Sequence, residues 1–271
     1  MKSDSPLGKP TAYAHDYAPE LLFPIARGDS RLALGIARPL PFDGVDIWNA
    51  WELTWLSPSG KPEVAVGEIR VPADSPSLVE SKSLKLYLNS LAMSRFESAT
   101  AVTETIAKDL SAAAGAAVTV QLQSVLAAGT RQVDQLPGSC IDLRDADCDA
   151  REVDASLLQA DPRDIVDESL HSHLLRSLCP VTAQPDAGSL LVSYQGPRID
   201  PRGLLRYIVS FRQHNDFHEA CVERIFVEIS ERCRPSTLSV HALYQRRGGI
   251  DINPFRSNHG AQAAALRLWR Q

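Results

Sequence analysis

The chain has 271 residues, of which 44% are hydrophobic and 23% charged, and its formal net charge is −5. These values are typical of a globular protein, and the length suffices for two domains. The acidic balance argues against a direct nucleic-acid partner, and no apolar run approaches the ~20 residues of a membrane helix. The N-terminal stretch MKSDSPLGKPTAYAHDY lacks the apolar core of a signal peptide. We therefore expect a cytoplasmic protein without a membrane partner.

The first half of the chain shows a regular order of predicted elements. Apolar and branched residues with strand-like patterning occupy three segments: 46–56, 63–71 and 117–125. Helical spacing occurs in two segments between the second and third strands: 83–91 and 101–114. Gly115 is the residue type that most often ends a helix, and it follows the second of them.

The second half repeats this order. Its predicted strands are 170–181, 189–194 and 237–244, and its predicted helices are 201–211 and 217–233. Asp200 and Pro201 are typical of the N-cap and the first residue of a helix. Paired strands with two helices between them predict an α+β fold, with antiparallel sheets and helices packed on one face. The acidic stretch 142–168 is the predicted junction between the halves.

The stretch SLCPVTAQPDAGS carries a cysteine, Cys179, directly before a proline. Asp186 follows seven residues later, in a second predicted turn that also contains a proline. A cysteine is commonly a small buried hydrophobe, so one interpretation of Cys179 is a core thiol at a strand end. The other is a nucleophile with an acid held nearby. The five cysteines of the chain are odd in number and form no CxxC pair. Neither a disulfide framework nor a zinc ribbon is therefore indicated.

Three further stretches carry candidate functional residues. In VESKS, Glu80 and Lys82 lie between a predicted strand and a predicted helix. They are candidate site residues, or alternatively they form a solvated helix start at which the helix dipole favours the acid. In HNDFHEACVE, His218 and Glu219 adjoin at another predicted helix start. The arginines and glycines of YQRRGG can present cations and backbone N–H groups to a phosphate, or form an ordinary hairpin turn.

A metal site is an alternative for the histidines. His214, His218 and Cys221 are spaced i, i+4 and i+7, and together with HSH at 171–173 they offer imidazole and thiolate ligands for zinc. The helix predicted over 217–233 begins after His214, however, which removes that histidine from the shared face.

The family that these stretches resemble in combination is that of the NADPH-dependent 7-cyano-7-deazaguanine reductases, the nitrile reductases of queuosine biosynthesis. The matching segments are VESKSLKLYLNS, SLCPVTAQPDAGS, LLRYIVSFRQHNDFHEACVERIF and YQRRGGIDINPFRSN. The resemblance covers most of residues 40–258 and is to the longer form, with two tandem tunnelling-fold halves of ββααββ order. It implies a division into 1–155, which carries VESKS, and 156–271, which carries the cysteine, the aspartate and His-Glu. It also implies a homodimer.

The resemblance assigns roles to individual residues. It implies three catalytic residues, with the cysteine as nucleophile and the aspartate as proton donor: Cys179, Asp186 and His218. It implies contacts to the deazaguanine substrate from Val79, Glu80, Ser81, His218 and Glu219. It implies contacts to the NADPH cofactor from Ser81, Lys82, Arg247 and Gly248, and no metal. The chain departs from the family pattern at Ala187, where a tryptophan is expected, and at Leu178, where some members have asparagine.

Two other functions are considered beside a nitrile reductase. One is a zinc-dependent enzyme of the same fold that processes pterins or purines. The other is a non-catalytic protein that binds a base, in which Cys179 is structural.

Overall fold

The computed structural model describes residue 14 and residues 16–126 and 133–271. The N-terminal stretch considered above for targeting lies largely outside these residues. Among the helices of the described ranges, none is long and apolar enough to cross a membrane. The chain folds into two compact units: the first contains Met1–Asp29, Ile47–Arg131 and Arg246–Asp251, and the second contains Ser30–Asp46, Gln132–Gln245 and Ile252–Gln271.

The described residues form ten strands and five α-helices. The strands are β1 (Pro24–Ala26), β2 (Asp43–Leu56), β3 (Pro62–Pro72), β4 (Ser77–Val79), β5 (Thr119–Ser124), β6 (Ser139–Cys140), β7 (Ala160–Leu178), β8 (Pro185–Ile199), β9 (Thr237–Tyr244) and β10 (Ile250–Ser257). The helices are α1 (Gly28–Ala33), α2 (Ser81–Ser90), α3 (Ala99–Ala114), α4 (Pro201–Ser210) and α5 (His218–Cys233). Single 3₁₀ turns lie at Pro19–Leu21, Ala155–Leu157 and Phe211–Gln213.

The first unit contains the strand order β5-β3-β2 and a small antiparallel pair of β1 with β4. Residues of β3 alternate between buried and half-buried from Ala65 to Pro72, as the sequence pattern predicts for a strand with one face on the core. Helix α3 buries the residues at every fourth position, among them Val102 and Ile106. It ends at Gly115, whose φ of 70° is left-handed, so the predicted C-cap is confirmed.

The second unit contains the strand order β10-β9-β8-β7-β6. Strand β10 pairs with β9, β9 with β8, and β8 with β7 in antiparallel fashion, whereas β6 pairs with β7 in parallel. Helix α4 begins as predicted: the Asp200 carboxylate accepts hydrogen bonds from two backbone N–H groups of the first turn, and Pro201 is the first helical residue.

Buried charges hold α5 within the second unit. The Arg256 guanidinium is fully buried and lies 2.8 Å from carboxylate oxygens of both Asp46 and Glu223. Arg31 pairs with the same glutamate at 2.6 Å. Glu223 belongs to α5, so these pairs fix the helix whose first turn carries His218. Loss of one partner from such a buried group typically costs about 3–5 kcal/mol, because a charge is left uncompensated.

The predicted α+β class and the order of the predicted elements are confirmed, and three predictions need correction. Strand β7 begins at Ala160, so the acidic stretch 142–168 is not a junction throughout its length. Pro185 to Gly188 form the start of β8 and not a turn, because the turn lies earlier, between β7 and β8. Strand β10 was not predicted, since its sequence IDINPFRS interrupts strand patterning with a proline. The tandem tunnelling-fold halves and their division at 155 and 156 stay predictions.

Candidate active site

Cys179 lies at the end of a long hairpin in the second unit. Strand β7 ends at Leu178, and a six-residue turn leads to Pro185, the first residue of β8. The Cys179 N–H donates to the Gln184 carbonyl at 2.9 Å, and its own carbonyl accepts from Ala183 at 3.0 Å. These bonds close the turn at the cysteine itself. The thiol residue is therefore held by backbone geometry, and it is only 8% exposed.

Asp186 lies on the facing strand of the same hairpin. The antiparallel register pairs Leu178 with Pro185 and Ser177 with Asp186. Asp186 is therefore in the second residue pair from the end of the hairpin strands, and Cys179 follows directly after that end. Asp186 is 4% exposed. The hairpin thus brings the predicted nucleophile and the predicted acid to the same end of two strands.

The segment that leads into α5 is bonded to this hairpin end through its backbone. The Leu178 N–H donates to the His214 carbonyl at 2.8 Å, and the Leu178 carbonyl accepts from Asp216 at 3.2 Å. Two residues later α5 begins with His218 and Glu219. The helix starts after His214, so that histidine does not share a helical face with His218, as the sequence predicts.

His218 joins the helix to the aspartate. Its Nε2 atom lies 3.3 Å from an Asp186 carboxylate oxygen. Its ring stacks on Tyr244, with centroids 3.9 Å apart and planes inclined by 29°. Burial raises the pKa of Tyr244 well above its ordinary value, and the nearby Cys221 and Asp186 groups contribute in the same direction. Tyr244 therefore stays a neutral phenol that fixes the plane of the imidazole.

Glu219 follows His218 in the first turn and is 3% exposed. A carboxylate at this position is favoured by the helix dipole. The second unit thus brings together four predicted site residues, which are Cys179, Asp186, His218 and Glu219.

Three of the other cysteines have a raised thiol pKa. Cys221 is fully buried in α5, and burial raises the pKa of its thiol far above the ordinary range. Burial likewise raises the pKa of Cys233 to about 11. The pKa of Cys148 is also raised, chiefly by partial burial. Since the thiolate is the reactive form, Cys221 and Cys233, which are also buried, are poor nucleophiles.

Glu80, in the first unit, caps α2. Its two carboxylate oxygens accept the backbone N–H groups of Lys82 at 2.7 Å and Ser83 at 2.8 Å. The side chain is fully buried, so the solvated alternative is wrong, although the carboxylate does lie at the start of a helix. Val79 precedes it as a buried residue of β4, and Ser81 follows it half-buried. The substrate contacts assigned to these residues stay predictions.

The YQRRGG stretch ends in a tight turn that belongs to the first unit. Arg247 and Ile250 exchange backbone hydrogen bonds at 2.9 and 3.3 Å, and both central residues, Gly248 and Gly249, have positive φ. This is the combination that a two-residue hairpin turn of the primed type requires, and glycine adopts it without strain. The ordinary-hairpin alternative is therefore confirmed, and the turn still presents Arg247 and Gly248 for the predicted cofactor contact.

A cleft of about 340 Å³ lies beside this turn within the first unit. The residues that line it include Glu52, Lys82, Lys85, Gly248 and Gly249. An added Cβ at Gly248 would lie 3.1 Å from Lys85 Cδ, so a side chain there would crowd the cleft. The cleft combines lysine cations with an open glycine backbone, which suits a phosphate-bearing ligand.

Sequence reasoning missed two features of these sites. Tyr244 ends β9 and was assigned to the strand only, since stacking on His218 depends on a contact across the fold. Lys85 lines the cleft with Lys82, and the i, i+3 spacing of these two lysines on one helix is a signal that the sequence does contain.

Comparisons with known proteins identify the family of the chain. A family model described as "Nitrile reductase, 7-cyano-7-deazaguanine-reductase N-term" matches residues 13–122, and one described as "QueF-like protein" matches residues 185–263. A relative from Azoarcus sp. (strain BH72), named NADPH-dependent 7-cyano-7-deazaguanine reductase, is 58% identical over 96% of this chain and 92% of its own. Relatives of the same name from Burkholderia multivorans (strain ATCC 17616 / 249) and Paraburkholderia xenovorans (strain LB400) are 56% and 54% identical, over 94% and 98% of this chain and 93% and 98% of theirs. This chain therefore belongs to the family of the NADPH-dependent 7-cyano-7-deazaguanine reductases.

Proposed function

We propose that this protein reduces the nitrile of 7-cyano-7-deazaguanine to the aminomethyl group of 7-aminomethyl-7-deazaguanine, with NADPH as reductant, in tRNA queuosine biosynthesis. The relatives described above carry the name of this reductase, which favours it over a zinc-dependent pterin or purine enzyme. The observation that carries the proposal is the hairpin end that holds Cys179 next to the strand bearing Asp186, with His218 3.3 Å from that aspartate.

The first step is addition of the Cys179 sulfur to the nitrile carbon. A linear nitrile is a poor hydride acceptor, and addition converts it to a trigonal C=N thioimide that accepts hydride more readily. The sulfur bonds to carbon, one π bond of the nitrile breaks, and its nitrogen takes a proton. Asp186 is the proposed donor of that proton. The adduct contains every atom of the substrate, since no group leaves.

The remaining steps deliver four electrons as two hydrides. The first hydride reaches the thioimide carbon, and the C–S bond then breaks to give an imine and return the thiolate. The second hydride reaches the imine carbon, and protonation of nitrogen gives the amine. Each hydride comes from one NADPH, so two NADPH are consumed for each nitrile. His218 lies beside Asp186 and is the proposed partner that restores its proton.

Recognition of the base is assigned to carboxylate and imidazole groups. A guanine-like edge presents an N1–H and a 2-amino group side by side, and one carboxylate accepts both. Glu219 is the proposed acceptor in the second unit, with His218 beside it. Val79, Glu80 and Ser81 are further proposed substrate contacts. For Glu80, the hydrogen bonds that its carboxylate already accepts limit how it can bind the substrate. Its carboxylate already accepts two backbone N–H groups, so it can take a substrate donor only through its remaining lone pairs.

The residues of the first-unit cleft fit the cofactor predicted for it. Lys82 and Gly248 line the cleft, and Ser81 begins the helix that carries Lys82. Arg247 precedes Gly248 in the turn and is the second proposed cation. Cations of this kind are suited to the phosphate that distinguishes NADPH from NADH. The bound cofactor supplies the hydrides, and these residues would hold its phosphates.

Three further properties belong to the proposal as a consequence of family membership. We propose two tandem tunnelling-fold halves, a homodimer and a cytoplasmic location, with a small-molecule substrate and no direct nucleic-acid or membrane partner. Sedimentation equilibrium of the purified chain tests the dimer, and a monomer mass across the micromolar range would contradict it.

The decisive test of the function is incubation with 7-cyano-7-deazaguanine in the absence of NADPH. Intact mass should rise by the full mass of the substrate, and peptide mapping should place the addition on Cys179. Added NADPH should then discharge the adduct as the aminomethyl product. An adduct on Cys140, Cys148, Cys221 or Cys233, or an amide product, would overturn the proposed mechanism.

A further inference from the structure

Three metal-ligating side chains converge within the second unit, on strands β6 and β7. They are Cys140, His171 and His173, and their ligand atoms all lie within 4.8 Å of one another. The two histidines are spaced i, i+2 on β7 and so share a face of the strand. Cys140 is the register partner of His171 across the parallel β6–β7 pair. None of these residues has a role in the reaction proposed above.

Hydrogen bonds leave one nitrogen of each imidazole available. His171 Nδ1 lies 2.9 Å from the Pro137 carbonyl, which only accepts, so the neutral ring carries its hydrogen on Nδ1 and its lone pair on Nε2. His173 Nδ1 is 2.8 Å from the Ser189 hydroxyl, which leaves Nε2 of that ring as well. Metal-binding histidines are commonly oriented in this way, through a bond from their second nitrogen to a carbonyl or another oxygen.

Asp142 adds a carboxylate next to His173. One of its oxygens accepts the backbone N–H of His173 at 2.9 Å. The other, Oδ1, is buried and has no hydrogen-bond partner among the residues that the structure describes. A buried carboxylate oxygen without a partner is costly, and the negative charge of Asp142 makes the surroundings of His173 more favourable for a cation. The cationic Arg270 is directed elsewhere, to the carbonyl oxygens of His173 and Gly188.

The backbone that carries Cys140 is fixed against β7. Gly138 has a φ of 77°, and a Cβ there would lie 2.0 Å from the Ser169 carbonyl oxygen, so only glycine allows this approach. Ile141 is fully buried, and its N–H donates to the His171 carbonyl at 3.0 Å. The Cys140 side chain itself is exposed. The site therefore combines a fixed backbone with a thiol that is accessible to an ion from solution.

We propose that Cys140, His171 and His173 bind one zinc ion, which fastens the edge strand β6 to β7 and takes no part in nitrile reduction. One thiolate and two imidazoles form a ligand set that zinc prefers, with a fourth, tetrahedral position left for water. Zn–S and Zn–N bonds of about 2.0–2.3 Å place ligand atoms ~3.3–3.6 Å apart. The ligand atoms lie within 4.8 Å of one another, so any remaining adjustment is small, and the exposed Cys140 side chain is the one with most freedom to make it.

The test uses the full chain, treated with chelator and then dialysed against micromolar Zn²⁺. Elemental analysis should find one zinc per chain, and Co²⁺ in its place should give the intense near-ultraviolet absorption of a thiolate–cobalt bond. Cys140→Ser and His173→Asn should each weaken Zn²⁺ binding at least tenfold and, for the former, abolish that absorption. Cys148→Ser is the matched control, since it removes another exposed thiol outside the cluster, and it should bind like the parent chain.

Thermal unfolding supplies a second readout. Zn²⁺ should raise the unfolding temperature of the parent chain and of Cys148→Ser, and leave that of Cys140→Ser unchanged. The proposal is overturned if the parent chain retains no zinc after dialysis, or if Cys140→Ser binds it as tightly as the parent. It is equally overturned if Cys179→Ala, and not Cys140→Ser, loses the metal.

Discussion

Replacing Asp186 by asparagine separates proton transfer from binding. Asparagine has nearly the size of aspartate, and the backbone pairing of this residue with Ser177 does not involve its side chain, so the hairpin should keep its register. An amide cannot donate a proton as a carboxylic acid does. A positioned general acid typically contributes 10²–10⁴-fold, which equals about 2.7–5.4 kcal/mol at 1.36 kcal/mol for each factor of ten.

The surroundings of Asp186 decide how large the loss of rate should be within the range of about 10²–10⁴-fold. The residue is 4% exposed, so bulk water has little access to replace the lost acid. His218 lies 3.3 Å away and is a second proton donor when it is protonated. We therefore expect adduct formation to slow at least 100-fold without reaching zero. The affinity for 7-cyano-7-deazaguanine should change by no more than about threefold, because Glu219 and His218 are retained.

The assay is the rate of adduct formation without NADPH, followed by rapid-mixing absorbance and by intact mass at timed intervals. Asp164→Asn is the matched control, since Asp164 is an exposed aspartate on β7 that pairs with Arg198 away from the hairpin end. It should react at the rate of the parent chain. If Asp186→Asn forms the adduct at the parent rate while His218→Asn does not, the assignment of the acid to Asp186 is wrong.

Four further outcomes are expected. Cys179→Ala should abolish both adduct and turnover yet still bind the base, as isothermal titration would show; undiminished turnover would refute its role. Lys82→Ala and Arg247→Ala should each weaken NADPH more than NADH by about 1.5–3 kcal/mol, the value of a hydrogen bond to a charged group; equal losses for the two cofactors would place these cations away from the distinguishing phosphate. Nitrile-dependent NADPH oxidation should consume two NADPH per aminomethyl product, and a ratio of one would indicate a different reaction. Exhaustive chelation should leave turnover unchanged at temperatures where the chain stays folded, and activity restored by zinc alone would revive a catalytic metal.

The sequence by itself determined the elements that depend on local chemistry. Asp200 and Pro201 started α4 and Gly115 ended α3 as predicted, because capping and left-handed backbone are properties of a few adjacent residues. The alternation in β3 likewise identified its buried face. Cys179 and Asp186 lie seven positions apart in the chain, so a single hairpin is enough to bring them to the same strand end, while their catalytic roles stay predictions.

The tertiary structure decided what depends on partners distant in the chain. The turn around Cys179 was displaced by a few residues in the prediction, since the pairing of Ser177 with Asp186 decides where β8 begins. The stacking of Tyr244 on His218 requires that β9 and α5 pack together, which no local pattern reports.

The ligand grouping of the histidines at 171 and 173 also depended on partners distant in the chain. The sequence suggested zinc ligands on the strength of residue type and grouped them with His214, His218 and Cys221. The fold groups them with Cys140, 31 positions before the first of them, because the register of β6 against β7 places that cysteine opposite His171. Residue type and local spacing can be read directly from the sequence. Which side chains meet across two strands depends on the strand register, and the register is fixed only when the sheet has formed.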